Sequence, residues 1–348
     1  MKKLSVLVLL ALGVVALGSF YLGLSFLNSP PDVDGEEIIF EVSPGEGFKN
    51  VSARLQENGL ITDAGKFYLF AKMRGKTGSL RRGEYSLSTA MVPDEVLKVI
   101  TSGKSRMRPF TIPEGRNVYD IAKSFQNQKL GTSEEFLKIV RDPAFAKELL
   151  GYAASGLEGY LYPETYQVTK FTTAKDLVKQ MVARFQEVYA EEVGPNPPPG
   201  FTKHQVVILA SIVEKETGAP EERPMIASVF LNRLKKNMRL QTDPTVLYGK
   251  WELTGDLSMN ITKQDLVTPN RYNTYTNMGL PYGPISNPGR EALRAVVKPA
   301  TSEFLFFVSR NNGTHVFSET YENHSRAVRD FQMNPKAREG KSWRDLDK

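Results

Sequence analysis

The sequence predicts an α+β protein with an N-terminal transmembrane helix, a small β-α module and a larger mixed α+β domain. Three observations support this prediction. The chain begins with a long uncharged stretch, residues 37–60 change from strand alternation to helical periodicity, and several amphipathic helices separated by irregular segments follow residue 107. With 348 residues, of which 41% are hydrophobic and 24% charged, the chain can bury more than one core.

The composition narrows the chemistry that this chain can perform. It has no cysteine and 3 histidines, which excludes disulfides, thiolate metal sites, cysteine nucleophiles and multi-histidine metal clusters. The net charge is +6, but the basic residues never form a run of five, so nucleic acid is not expected as a partner. Catalysis would have to use carboxylates, hydroxyls, amides or lysine, and neither a metal nor another cofactor is expected.

Residues 1–27 are expected to be a short cytoplasmic tip and a membrane anchor. Residues 4–27 carry no charge, and as a helix they would extend about 36 Å, more than the ~30 Å hydrocarbon core of a bilayer. A cleaved signal peptide ending near Gly18 is the alternative, but its apolar region would usually be only ~7–15 residues long. Since Lys2 and Lys3 precede the span, we expect a single-pass protein of the cell inner membrane with residues 28 onward on the periplasmic side.

The segment that follows the anchor reads as a linker and a small folded module. Residues 28–36 are rich in proline and acidic residues, which is typical of a stiff spacer. Up to residue 106, short strands and amphipathic helices then alternate around what we expect to be one small core. The predicted elements are a strand at 37–42, helices at 51–60 and 67–73, a strand at 79–86 and a helix at 92–100.

The larger domain, residues 107–348, combines clear helices with a long irregular span. Thr132 and Thr173 begin capping boxes, and the proline-rich segment 194–200 is expected to be a surface loop. Residues 241–288 show little periodicity, which is typical of a binding surface. The other predicted elements are helices at 204–217, 221–236 and 291–297, a hairpin with strands at 304–308 and 315–317, and a polar C-terminal helix.

The helix that ends in Glu214-Lys215-Glu216 is the most informative element for chemistry. Residues 206–213 are nearly all apolar, so this helix should be buried on most sides. Glu216 continues the face of Leu209, whereas Glu214 lies about 200° away around the helix. Burial and the helix C-terminus would both raise the pKa of Glu216, as a general acid requires. The alternative is a fraying helix end with solvated charges.

Two polar clusters could bind a ligand. Residues 238–245 and 270–277 place amides and hydroxyls among apolar and aromatic side chains. Aromatic faces stack on sugar rings, while amides and hydroxyls hydrogen-bond to sugar hydroxyl and N-acetyl groups, so carbohydrate is the expected ligand class. The alternative for each cluster is an ordinary loop capped by Asn and Thr side chains. His315 and His324 are expected to be structural or exposed.

Several of these runs together indicate a family. They are ASIVEKET at 210–217, ASVFLNRL at 227–234, MRLQTDPT at 238–245 and YNTY at 272–275, with GEY at 83–85, LEGYLYPETY at 157–166 and GLP at 279–281. On these motifs, nearly the whole chain resembles the YceG-like (MltG) family of endolytic murein transglycosylases. The resemblance implies a membrane-tethered lyase with a LysM-like module at 37–106 and a YceG-like catalytic domain at 107–348. It places the catalytic glutamate at Glu216.

The resemblance also implies a mechanism that needs only one carboxylate. Glu216 would protonate the oxygen between N-acetylmuramic acid and N-acetylglucosamine and then deprotonate the muramyl 6-hydroxyl, giving a 1,6-anhydro end. The substrate would be nascent glycan strands, and cleavage would terminate their elongation. Peptidoglycan synthases would be the protein partners. The candidates for positioning the sugars are Gln241, Asp243, Asn273 and Tyr275.

The sequence leaves two alternatives to this function. A non-catalytic peptidoglycan-binding scaffold would leave Glu216 exposed, whereas an enzyme would bury it in a cleft. A true hydrolase would need a second carboxylate within about 9.5 Å of Glu216. Asp243 and Glu158 are the carboxylates to examine.

Overall fold

The computed structural model describes residues 25–195, 197–255 and 260–334. These residues form two compact units. The first contains the described residues up to Pro109 together with Gln167–Thr172, and the second contains Phe110–Tyr166 together with the described residues from Thr173 onward. The mixed α+β class predicted from the sequence is confirmed, with many helices and only short, two-stranded sheets.

The first unit is a two-stranded antiparallel sheet covered by three helices. Its core contains Phe40, Leu55, Phe67, Leu87 and Ile100, all nearly inaccessible to solvent. The inward-facing residues of the first strand alternate, as expected for a sheet with one buried face. Its elements are β1 (Glu37–Val42), α1 (Phe48–Glu57), α2 (Ala64–Met73), β2 (Gly83–Ser88) and α3 (Pro93–Thr101).

The predicted strand at 79–86 lies four residues too early. In the structure β2 begins at Gly83, which pairs with Val42, the last residue of β1. Residues 79–82 therefore have no partner strand. The predicted membrane span lies outside the described residues except for 25–27, and none of the helices in the described part of the chain is long and apolar enough to cross a membrane.

The second unit is mainly helical. Its first half confirms the two predicted capping boxes, since Thr132 Oγ1 accepts from Glu135 N at 3.1 Å and Thr173 Oγ1 accepts from Asp176 N at 3.1 Å. Strands β3 (Arg108–Thr111) and β4 (Thr165–Val168) pair with each other, and the division of the chain between the two units falls within both of them. The helices of this half are α4 (Val118–Asn127), α5 (Ser133–Val140), α6 (Pro143–Leu150) and α7 (Ala174–Glu192).

Helix α8 (Lys203–Glu216) is the centre of the second unit. Every residue from Val206 to Glu214 is buried, because three other helices pack around it. These are α9 (Arg223–Lys235), α10 (Asp243–Thr254) and α12 (Arg290–Val297), and a short helix α11 (Lys263–Val267) precedes the last of them. The helix ends at Glu216 because Thr217 is extended, with φ −142° and ψ 139°.

Helix α10 corrects the prediction that residues 241–288 are irregular throughout. It is buried at Thr245, Val246, Tyr248, Gly249 and Trp251, which cover more than one face, so the sequence shows no clear helical period. Its start follows a known pattern, since a proline occupies the second position of the helix. Close packing explains the glycine at position 249, because a Cβ atom there would collide with the amide of Asn270.

The C-terminal hairpin was predicted to within two residues. Strands β5 (Phe306–Ser309) and β6 (His315–Ser318) pair antiparallel and are followed by α13 (Tyr321–Val328). The hairpin is joined to α9 through backbone carbonyls. Asn232 Nδ2 donates to the carbonyl oxygens of Ser302 at 2.8 Å and Phe304 at 3.0 Å, and Arg233 Nε donates to that of Leu305 at 2.6 Å.

Candidate active site

Glu216 is the last helical residue of α8, and its carboxyl group is held by a threonine. Thr242 Oγ1 donates a hydrogen bond to Glu216 Oε1. Thr242 is itself fixed, because its N–H donates to Thr274 Oγ1 at 3.0 Å and its carbonyl accepts from Thr245 Oγ1 at 2.7 Å. Thr245 and Thr274 also share a hydrogen bond between their hydroxyls, at 2.8 Å. Three buried threonines therefore fix the position of one oxygen of the carboxyl group.

The surroundings of Glu216 favour its protonated form. Burial raises the pKa of Glu216 to about 7, against the hydrogen bond from Thr242, which lowers it. The charge of Asp243 raises this pKa further, and that of Arg233 lowers it. A carboxyl group with a pKa near 7 can donate a proton and take one back at neutral pH. This environment fits the enzyme hypothesis and not a solvated helix end.

Glu216 opens onto a cavity of about 390 Å³. Three of the four predicted positioning residues line it, namely Gln241, Asp243 and Tyr275. Tyr275 donates its hydroxyl hydrogen to Asp243 Oδ1 at 2.6 Å, which fixes both side chains. Gln241 has a left-handed backbone with φ 50°, uncommon for a residue with a side chain and concentrated at functional sites.

Asn273 does not reach this cavity. It is fully buried, and its Nδ2 donates to the carbonyl oxygens of Asp265, Leu266 and Thr268 at 2.8 to 3.2 Å. Its Oδ1 accepts from Tyr275 N at 2.8 Å. All of its polar groups are used inside the loop, so Asn273 shapes the segment that carries Tyr275 and has none left for a sugar.

Sequence reasoning missed several residues that line the cavity. Arg233 from α9 is buried, and its Nη1 donates to the carbonyl oxygen of Leu240 at 2.7 Å. The hairpin and α13 add an aromatic wall of Phe306, Phe307, Tyr321 and His324. His324, which was expected to be structural or exposed, stacks on Phe306 and also lines the cavity. Arg233 lies 72 positions from Leu305, and no local pattern reveals such a contact.

Glu214 contacts other partners than Glu216 does, because the two side chains leave α8 on different faces. It accepts from Arg223 Nη2 at 2.9 Å and from Gly289 N at 3.0 Å, and both ion-pair partners are buried. These contacts connect α8 to the start of α9 and to the start of α12. Glu214 is thus part of the scaffold that surrounds the helix.

Glu158 is a further carboxyl group with a raised pKa, but it lines another cavity, of about 190 Å³. Burial raises the pKa of Glu158 to about 7. Its oxygens accept from Val118 N at 3.0 Å, from Tyr248 Oη at 2.8 Å and from Asn287 Nδ2 at 3.1 Å. With both oxygens engaged in this way, Glu158 joins three segments of the chain. Of the two carboxylates considered for a hydrolase, Asp243 is the one that shares the cavity of Glu216.

Comparison with known proteins identifies the family. A model of the YceG-like family matches residues 40–330. The chain belongs to the YceG-like family. Among solved structures, a YceG-like protein from Listeria monocytogenes is similar, with a TM-score of 0.56 and 34% sequence identity over 84% of this chain and 99% of that one.

Curated relatives carry a functional name. The endolytic murein transglycosylase of Bacillus subtilis (strain 168) is 30% identical over 329 residues, which cover 89% of each chain. The endolytic murein transglycosylase of Streptococcus pneumoniae serotype 2 (strain D39) is 29% identical over 328 residues. That match covers 86% of this chain and 59% of the pneumococcal protein, so this YceG-like chain spans about three fifths of that relative's length.

The described residues offer no metal site to this family member. Within residues 25–195, 197–255 and 260–334, no group of three or more His, Cys, Asp or Glu side chains is arranged to hold a metal ion. The polar groups of the cavity are one carboxyl group with a raised pKa, a second carboxylate, hydroxyls, an amide, an imidazole and a guanidinium group. This set suits proton transfer to and from a hydrogen-bonding substrate such as a sugar.

Proposed function

We propose that this chain is an endolytic murein transglycosylase, a lyase that cuts the glycan strands of peptidoglycan. The observation that carries the proposal is Glu216, which has a pKa of about 7 and opens onto the cavity of about 390 Å³. The functional name shared by relatives of the YceG-like family supports it. The substrate bond is the one between N-acetylmuramic acid and N-acetylglucosamine.

The two oxygens of Glu216 have separate tasks in this proposal. Oε1 accepts from Thr242, whereas Oε2 accepts no hydrogen bond from the described residues. Oε2 is therefore the oxygen that gives its proton to the bridging oxygen as the glycosidic bond breaks. The carboxylate then takes the proton of the muramyl 6-hydroxyl while that oxygen bonds to C1, so one carboxyl group serves as acid and base.

The product of this sequence is a 1,6-anhydro-N-acetylmuramic acid end. The attacking hydroxyl belongs to the substrate itself, and a well-oriented internal nucleophile has a high effective concentration. Gln241, Asp243 and Tyr275 line the cavity beside Glu216 and position the sugars for this attack. Asn273 supports the same loop from inside.

Mass spectrometry of sugar ends after digestion of purified glycan strands tests the proposal. We expect anhydro ends, which are lighter than reducing ends by one water, about 18 Da. Glu216→Gln should abolish cleavage in a folded protein, because an amide neither donates a carboxylic proton nor acts as a base. Glu214→Gln is the matched control and should keep most of the activity of the folded enzyme. Residual cleavage by Glu216→Gln would contradict the assignment.

A true hydrolase is the second candidate, because Asp243 lines the same cavity as Glu216. In a hydrolase Asp243 would activate water or act as nucleophile, and the products would carry reducing ends. Asp243→Asn separates the two functions. A transglycosylase keeps its anhydro products in this variant, whereas a hydrolase loses activity by orders of magnitude.

We further propose that the enzyme is an inner-membrane protein held by a single helix at residues 4–27, with the catalytic domain on the periplasmic side. The 24 uncharged residues after Lys2 and Lys3 support this proposal. N-terminal sequencing of protein extracted from membranes tests it. A mature N-terminus near Ser19 in a soluble protein would contradict it.

The first unit is proposed to be a LysM-like, peptidoglycan-binding module. A groove of about 770 Å³ supports this, lined by the turn after β1 and by Arg81 and Arg82. Replacing both arginines with alanine in the Glu216→Gln protein should weaken its sedimentation with peptidoglycan sacculi, and replacing the exposed Lys49 is the control. Equal sedimentation of all three proteins would contradict a binding role. Anchoring and binding together would place the enzyme beside peptidoglycan synthases, where it could end nascent strands.

A further inference from the structure

The aromatic wall of the cavity includes a side chain that the fold leaves largely uncovered. Tyr321, the first residue of α13, is 71% exposed although it lines the cavity of Glu216. Among the aromatic side chains that the structure describes, only Tyr282 is also exposed, and the guanidinium of Arg271 covers its ring at 4.0 Å. The ring of Tyr321 contacts the rings of Phe306 and His324. An aromatic surface of this kind is suited to a ligand.

The rings of Phe306, Tyr321 and His324 form a continuous surface. Phe306 lies edge-on to Tyr321 with centroids 6.0 Å apart, and it stacks on His324 at 5.1 Å with an interplanar angle of 21°. Phe307 packs against Phe230 at 5.8 Å, which connects the hairpin to α9. The surface is therefore held by the folded core and does not depend on the ligand for its shape.

Polar groups without protein partners accompany these rings. His324 Nδ1 is buried and has no hydrogen-bond partner among the described residues. Burial, and to a smaller degree the charge of Arg233, lowers the pKa of His324, so its ring is neutral at pH 7. Arg233 donates through Nε and Nη1 to backbone carbonyls, while its Nη2 makes no hydrogen bond within the described chain. A buried nitrogen without a hydrogen-bond partner costs folding free energy, and a ligand that bonds to it recovers this free energy.

We propose that Phe306, Tyr321 and His324 form a sugar-binding subsite of the Glu216 cavity. The ring of Tyr321 stacks on the C–H face of one N-acetylated amino sugar of the strand, next to the bond that is cut. Arg233 Nη2 donates to the acetamido carbonyl oxygen of this sugar, and His324 Nδ1 forms a hydrogen bond with one of its hydroxyl groups. A sugar matches this surface because it has an apolar face and a polar edge. This subsite rests on the proposed function and specifies which residues recognise its substrate.

Binding to an inactive enzyme tests the subsite apart from catalysis. Titration calorimetry would measure the Kd of the full-length Glu216→Gln protein for soluble, uncrosslinked glycan strands. Adding Tyr321→Ala should raise Kd by ~5–10-fold, whereas Tyr321→Phe, which keeps the ring, should leave it within about 2-fold. His324→Phe keeps the ring stack but removes Nδ1, and it should raise Kd by ~3–10-fold. Tyr282→Ala removes an exposed tyrosine outside the cavity and should have no effect.

Kinetics of the active enzyme provide a second readout. Stacking acts on substrate and transition state alike, so Tyr321→Ala should raise KM and leave kcat nearly unchanged. An unchanged Kd and KM in a folded Tyr321→Ala protein would overturn the subsite, and an unchanged Kd in His324→Phe would remove the role given to Nδ1. If wild type cleaves strands while these variants match it, the subsite fails and the proposed function stands. If wild type neither binds nor cleaves strands, both fail.

Discussion

Glu216 should determine the pH dependence of cleavage, because its pKa is about 7 in the folded protein. The first chemical step needs the protonated carboxyl group, so we expect kcat/KM to fall as the pH rises above about 7. Asp243→Asn should shift this fall in kcat/KM to lower pH, since the charge of Asp243 raises the pKa of Glu216. The rate of strand cleavage between pH 5.5 and 9 measures both effects. A profile that is flat from pH 6 to 8.5 would contradict them.

The same carboxyl group makes the stability of the protein depend on pH. Its pKa is raised in the folded state from an ordinary value of 4.5, so its contribution to stability is complete below pH 4.5 and is lost as the pH rises through 7. We expect Glu216→Gln to exceed wild type in free energy of unfolding by ~1–3 kcal/mol at pH 8, with the difference narrowing towards pH 5. Urea unfolding at the two pH values measures this.

Glu214→Gln is the matched comparison for stability, and its effect should have the opposite sign. The substitution leaves the buried guanidinium of Arg223 without its carboxylate at 2.9 Å. Removing one partner of a buried pair is destabilising, here by ~2–4 kcal/mol, even though burial raises the pKa of Glu214. If Glu214→Gln also proved more stable than wild type at pH 8, the stability gained by Glu216→Gln would reflect the loss of any negative charge and not the raised pKa of Glu216.

At the scale of elements, the close approach of α10 to the loop after α11 supports the site. Asn270 Oδ1 accepts from the backbone N–H groups of Tyr272 at 2.8 Å and Asn273 at 3.0 Å, and its amide fills the space beside Gly249. Gly249→Ala would push this amide away. We expect a loss of ~1–3 kcal/mol in unfolding free energy and a lower kcat/KM, because the displaced loop carries Tyr275.

Two measurements test the role of Gly249. Thermal unfolding gives the loss of stability, and strand cleavage gives the loss of activity. Gly255→Ala, at the exposed C-terminus of the same helix where φ is 69° and no atom lies near a Cβ, is the control for backbone effects alone. It should lose stability but keep kcat/KM. Equal activity in both variants would mean that the loop tolerates the displacement.

Local sequence patterns predicted some elements well and others poorly. Capping boxes at Thr132 and Thr173 were predicted correctly because the cap is made by residues only three apart. Helix α10 was missed because packing on several sides removed its period, and the start of β2 was misplaced because strand ends depend on the partner strand. In each case the error arose where tertiary contacts, and not local preference, fix the element.

At the scale of the molecule, the candidate site was predictable only in part. The helix ending at Glu216 indicated a carboxyl group with a raised pKa, and the polar clusters gave Gln241, Asp243 and Tyr275. The aromatic wall, Phe306 to His324, lies 90 to 108 residues after Glu216 in the chain, and no pattern in the sequence connects the two. Asn273 was predicted to position the sugars but bonds within its own loop, because residue type alone does not tell whether an amide faces the ligand or the loop.

The size of the products tests the cutting mode of the whole enzyme. We expect internal scission, as the names of the relatives indicate, so long strands should give a spread of shorter fragments early in digestion. Size-exclusion chromatography of a time course measures this. Steady release of disaccharides with anhydro ends would keep the chemistry of Glu216 but contradict the endolytic mode.

The attachment of the C-terminal hairpin has a consequence for how this enzyme can diversify. Asn232 and Arg233 hold the hairpin through the carbonyl oxygens of Ser302, Phe304 and Leu305, and every amino acid carries such an oxygen. Substitutions in the hairpin that spare Phe307, whose ring packs against Phe230 of α9, can therefore alter the surface that it presents without removing these hydrogen bonds. Mutational drift, or a library made in the laboratory, could vary this wall while the geometry around Glu216 stays constant.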